Sequence, residues 1–130
     1  MTYYYSTKLT GVTFQDAITR TTEALQQEGF GIISQIDLQE TFRKKLGVEF
    51  RRYVILGACN PTLAHEALQL EDKVGTMLPC NVIVQEIDDG VEVAAVNPVA
   101  SMQAIPNSEL GEKAAAVGDK LRSAIDKLAQ

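Results

Sequence analysis

Both cysteines, the single histidine and two of the four prolines of this chain lie between Cys59 and Cys80, in the stretch CNPTLAHEALQLEDKVGTMLPC. Cys59 stands directly before Asn60 and Pro61, which read as a helix start with asparagine as N-cap and proline at the first helical position. The unpaired amides and positive end of a helix favour a thiolate over a thiol, which gives Cys59 a reason to be reactive. The opposing consideration is packing, because a cysteine that closes a segment as apolar as VILGA is commonly a small buried hydrophobe. Two thiolates and His65 together have the ligand types that zinc or another soft metal takes. However, His65 lies well into the helix, off its apolar stripe, and a fourth ligand is missing. No serine occupies a nucleophile elbow, and neither HExxH nor a Walker pattern occurs, so a conventional hydrolase or transferase has no support and no catalytic residue is assigned.

Whether Cys59 and Cys80 meet depends on strand direction. A parallel return needs only the helix and a few loop residues, and it leaves the two cysteines at opposite ends of a sheet. An antiparallel return must climb back after the helix, and the segment Glu71–Pro79 is long enough, since about ten extended residues span roughly 33 Å. The extra length favours the antiparallel case, with both cysteines at one sheet end beside the start of the helix. Cys59, Asn60, Pro61 and Cys80 then border one candidate site for a small molecule or an ion, with no cofactor specified.

The elements that must position this site follow from pattern. Tyr3, Tyr5, Thr7 and Leu9 alternate with Tyr4, Ser6 and Lys8, which suits a strand near a sheet edge. Thr13 to Asp16 has capping-box form and opens a helix carrying Phe14, Ala17, Ile18, Thr21 and Leu25, with Gly29 as its stop. Phe30, Ile32, Ser34 and Ile36 are expected on one face of the next strand. A short helix follows, with Leu38, Phe42 and Leu46 along its inner stripe and Gly47 at its end. Val54-Ile55-Leu56 reads as a central strand covered on both faces. Leu63, Ala64, Ala67 and Leu68 form the buried stripe of the helix after Pro61. NVIVQEI and VEVAAV are strands joined at an Asp89-Gly90 hairpin turn, which also accounts for the paired acids Asp88 and Asp89. Asn97-Pro98 ends the pairing, VASMQAI is a connector with one helical turn, and Leu110, Ala114, Val117, Leu121, Ile125 and Leu128 mark a long last helix.

The order is β-α-β-α-β-α-β-β-α, so the fold expected is α+β: a mixed, largely antiparallel sheet of about five strands with helices mainly on one face. One domain, 1–130, accommodates it, because no repeat or linker divides the chain. Twelve Lys and Arg against seventeen Asp and Glu give a net charge of -5, which argues against nucleic acid as a partner. The basic cluster Arg43, Lys44, Lys45, Arg51 and Arg52 is broken by Glu49 and reads as a solvated face. No segment has the form of a signal peptide or a membrane span, which points to the cytoplasm, where two cysteines remain thiols.

The fragments DLQETFRKKLG, YVILGACNP, MLPCNVIVQE and AAVNP, in this order and spacing, make the chain resemble the bacterial and archaeal family called domain of unknown function 302, over almost its whole length. That resemblance implies a compact α+β domain, often dimeric, with no established catalytic activity and no catalytic residues to carry over. The sequence therefore supports a non-enzymatic small-ligand-binding or assembly domain acting as a homodimer. The contrasting reading is a thiol-based redox or soft-metal-binding protein using Cys59 and Cys80.

Overall fold

The computed structural model describes residues 2–129. Strands β1 (Tyr4–Leu9), β2 (Gly31–Asp37), β3 (Tyr53–Cys59), β4 (Cys80–Ile87) and β5 (Gly90–Val96) form one sheet in the order β1-β5-β4-β3-β2. Every pairing is antiparallel, so the sheet is not mixed. Helices α1 (Phe14–Gln27) and α5 (Ser108–Leu128) cover one face. The others are α2 (Leu38–Leu46), α3 (Pro61–Leu70) and the single turn α4 (Pro98–Ser101), with a 3-10 helix at Asp72–Met77 where the sequence suggests only a connector.

Period-two alternation assigns the faces. Val54, Leu56 and Ala58 of β3, Val82 and Val84 of β4, and Val91, Val93 and Ala95 of β5 are buried under α1 and α5. The stripe of α5 is the expected one, apart from the half-buried Val117, and gains Gly118 and Ala124; Gly118 lets the helix approach Tyr5 and Pro98. Glu28, at the end of α1, accepts hydrogen bonds from Lys127 Nζ (2.6 Å) and Ser123 Oγ (3.1 Å), fixing α1 to α5. The Lys127 hydrogen bond holds the Glu28 carboxyl below its ordinary range.

Several expected positions differ. The central strand is β4, while β3 lies next to the edge strand β2, with the core under α1 and α5 on one of its faces. Tertiary neighbours set strand order, and a continuous apolar run reports only that a strand is interior. The face expected of β2 is broken by a bulge between Ile32 and Ser34, which leaves Ile33 and Ile36 64% and 47% exposed. Helix α2 buries no residue, and Leu46 of its supposed inner stripe is 68% exposed. It touches the sheet instead through Phe42, whose ring stands edge-on to Phe50, which in turn reaches Tyr53.

The sheet face opposite α1 and α5 carries Ile36, Ile55, Ile83 and Ala94 in register across four strands. Beside this row Arg51 Nε donates to Gln85 Oε1, and Gln85 Nε2 donates to Glu92 Oε1, both at 2.8 Å.

Candidate functional site

Asn60 caps α3 as its sequence demands. Its Oδ1 accepts from the Leu63 amide at 3.1 Å, its carbonyl accepts from the Ala64 amide at 2.9 Å, and Pro61 occupies the first turn. The chain leaves the sheet at Cys59, runs through α3 and the 3-10 helix, and returns at Cys80 directly opposite Ala58. The segments ending at Cys59 and starting at Cys80 are therefore antiparallel neighbours, and the two cysteines share one end of the sheet. Both are free thiols, Cys59 half-buried and Cys80 only 7% exposed. The pleat sets Cys80 on the helix-covered face with Ala58, and Cys59 is offset from it by one residue.

The returning segment encloses space. Between α3, the first half of α5 and the sheet end lies a cavity of about 310 Å³. From α3 come Leu63, Ala64, Ala67 and Leu68; from α5 come Leu110, Lys113, Ala114 and Val117. Ala58, Cys59, Asn60, Pro79 and Cys80 form its floor at the sheet, and Phe30, Ile33, Leu78 and Met102 close it. The predicted stripe of α3 thus faces this space; only Ala67 is buried, and Leu68 is 39% exposed. A second, smaller core holds the far side of the enclosure together, with Val74 of the 3-10 helix wholly buried against Ala67 and Leu110. Asn107, the cap of α5, adds a bond from Nδ2 to the Leu70 carbonyl (3.3 Å).

Close packing under Cys59 depends on Gly57. A side chain there would overlap Ser34 Oγ and lie 2.8 Å from the Pro79 ring, so only glycine lets these two residues meet over the strand.

The electrostatics are muted. Burial pushes the Cys80 thiol up to about 11, and the adjacent Cys59 adds to the rise. Lys113 Nζ is paired with Glu66 Oε2 at 2.8 Å across the gap between α5 and α3. At the start of α3 the proline lacks an amide hydrogen, and Asn60 already holds the amides of Leu63 and Ala64. Little of the helix terminus is left to face an anion.

Cys59, Asn60 and Cys80 line the cavity, whereas Pro61 and His65 are exposed and are not among its lining residues. Cys59, Cys80 and His65 do not assemble into a ligand set: no group of three or more His, Cys, Asp or Glu able to hold a metal ion occurs among the described residues. The larger part of the site, contributed by α5 and Met102, is invisible to motif reading, because an apolar stripe has the same periodicity whether it packs or lines a hollow.

No helix among the described residues is long and apolar enough to cross a membrane. A search of curated proteins finds no match. The crystal structure of an uncharacterized conserved DUF302 protein from Bacillus stearothermophilus is similar to this fold with a TM-score of 0.90, at 28% sequence identity and with 98% of each chain covered. The family model for the domain of unknown function DUF302 matches residues 5–128. With that match spanning nearly the whole chain and a solved member of the same shape, this protein belongs to the DUF302 family.

Proposed function

We propose that the chain is a non-enzymatic binding module whose site is the cavity between α3 and α5. The observation that carries this reading is the hollow itself: about 310 Å³, apolar-walled and built by a segment that strand pairing does not require. The cavity's titratable side chains, among the described residues, are Cys59, the neutral Cys80 thiol and a lysine already paired, which is a poor set for acid–base chemistry. The test is fluorescence of the small neutral apolar probe 1-naphthylamine. The native protein is expected to enhance it saturably, and the Ala64→Trp variant, which fills the cavity from a half-buried position, is expected to lose the enhancement. Leu63→Trp serves as a second filling variant, with circular dichroism confirming that each is folded. Enhancement unchanged in a folded, filled variant would remove the proposal.

Thiol exchange or soft-metal capture by Cys59 and Cys80 is favoured by their shared sheet end. It is opposed by the raised Cys80 pKa, which withholds the thiolate that both chemistries use.

The module acts, in this reading, as a homodimer through the open sheet face. Ile36, Ile55, Ile83 and Ala94 form an apolar row with no helix over it, flanked by Arg51 and Glu92 at the two ends of a bridge through Gln85. A twofold contact needs such a self-complementary patch, in which each positive end meets a negative one. Light scattering at micromolar concentration is expected to give the mass of two chains, and Ile83→Lys the mass of one; a monomeric native protein would defeat it.

A further inference from the structure

Among the described residues the one charged side chain lining the α3–α5 cavity already has its partner within the chain. Lys113, the cation lining it, is neutralised by Glu66 at 2.8 Å. Asn60 Oδ1 and its carbonyl are taken by the Leu63 and Ala64 amides, and Pro61 has no amide hydrogen to offer. The buried Cys80 remains a neutral thiol. Around them the walls are hydrocarbon or thioether: Leu63, Leu78, Leu110, Val117 and Met102. A charged group entering such a space gives up its hydration and finds no free opposite charge in exchange, whereas a neutral chain loses nothing and gains apolar contact.

The available volume sets the size. At roughly 30 Å³ for each water-sized group in a liquid, the cavity holds about ten non-hydrogen atoms. It lies at the small end of small-molecule sites, which run from ~300 Å³ upward.

We infer that the cavity takes an uncharged, mostly hydrocarbon molecule of about ten non-hydrogen atoms and rejects the corresponding acid, with the Lys113–Glu66 pair as a neutralised lip. This inference rests on the binding-module reading and specifies its ligand class. The Lys113–Glu66 pair is the determinant of the selectivity. Both side chains are about two-fifths exposed, so altering either leaves the core intact. Removing the Glu66 charge frees Lys113 to meet a carboxylate.

The experiment is displacement of the small neutral fluorophore 1-naphthylamine at pH 8 by 1-octanol and by octanoate, which share one chain and differ at its end. Octanol is expected to displace the probe at least tenfold more effectively than octanoate from the native protein. Glu66→Gln is expected to improve octanoate several-fold relative to octanol, and the double variant Glu66→Gln/Lys113→Met to lose that gain. Octanoate equal to or better than octanol in the native protein, or no gain for octanoate in Glu66→Gln, would overturn the ligand class while the binding reading stands. Absence of saturable probe enhancement in the native protein would overturn both, whereas a bound probe displaced by neither compound overturns the ligand class alone.

Discussion

Of the three connections that join antiparallel neighbours in this sheet, two could hardly differ more in length. Strands β4 and β5 are linked by Asp88 and Asp89 alone, with Ile87 opposite Gly90. Strands β3 and β4, paired by the same kind of ladder, are linked by the whole segment from Asn60 to Pro79. The hairpin shows what antiparallel pairing requires, which is a turn. Everything beyond a turn in the longer connection serves something other than the sheet. That segment contributes α3 and a 3-10 helix, its own small core around Val74, and one wall of the cavity. The tight turn belongs to the scaffold; the long connection belongs to the site.

Two glycines, Gly90 just after the tight turn and Gly75 inside the long connection, can break this contrast. A side chain at Gly90 would run into the backbone carbonyl of Leu9 on the edge strand and press on Lys8, which holds Asp89 by an ion pair of 2.7 Å. A backbone atom in a paired ladder cannot step aside, so Gly90→Ala is expected to cost about 2–3 kcal/mol in urea unfolding, the overpacking range. Gly75 sits in the long connection, where an added carbon would meet Leu68 Cδ2 at 3.9 Å, an ordinary contact. Gly75→Ala is expected to stay within about 0.5 kcal/mol of the native protein. Equal costs at the two positions would mean that the connections are not specialised in the way their lengths suggest.

The same contrast governs what could be read from the sequence. The β3–β4 direction was legible because loop length is a geometric quantity: Glu71–Pro79 has no use in a parallel return. The helix starts at Thr13 and Asn60 were legible because capping is local chemistry, and each accepts the expected amide hydrogen bond. The hairpin was expected one residue too late: Asp88 and Asp89 make the turn, and Gly90 already belongs to β5. Asp89-Gly90 suggests a turn that needs positive φ, yet among the described residues no non-glycine has positive φ and Gly90 is not among the glycines that do. Its small size is used for the approach of Leu9 instead. The bulge in β2 and the uncovered stripe of α2 escaped detection because periodicity reports that a segment is amphipathic, not whether another layer exists to cover it. The cavity escaped for the same reason. Ala64 reads as core, and in the fold it is half-buried and leaves room, while Ala67 is core as expected and also lines the hollow.

Cys80 sharpens the comparison, since it places a titrating group at the foot of the long connection. Its thiol rises from an ordinary 9.0 to about 11 because burial disfavours the thiolate, with the nearby Cys59 adding to the effect. Between those values the folded chain keeps a proton that the unfolded chain has released. Unfolding is therefore favoured progressively as pH rises: the contribution is fully present below about pH 9 and is gone above about pH 11. A rise of this size corresponds to roughly 2–3 kcal/mol at most. Lysines and tyrosines titrate in the same range, so the informative quantity is the difference between the native protein and Cys80→Ala, measured by urea unfolding at steps from pH 8 to pH 11. That difference is expected to hold steady up to about pH 8.5 and then to shift by about 2 kcal/mol against the native protein. Parallel curves would mean that water reaches Cys80 freely, and hence that the segment from Asn60 to Pro79 does not seal its end of the sheet as the tight turn, built only for pairing, has no need to do.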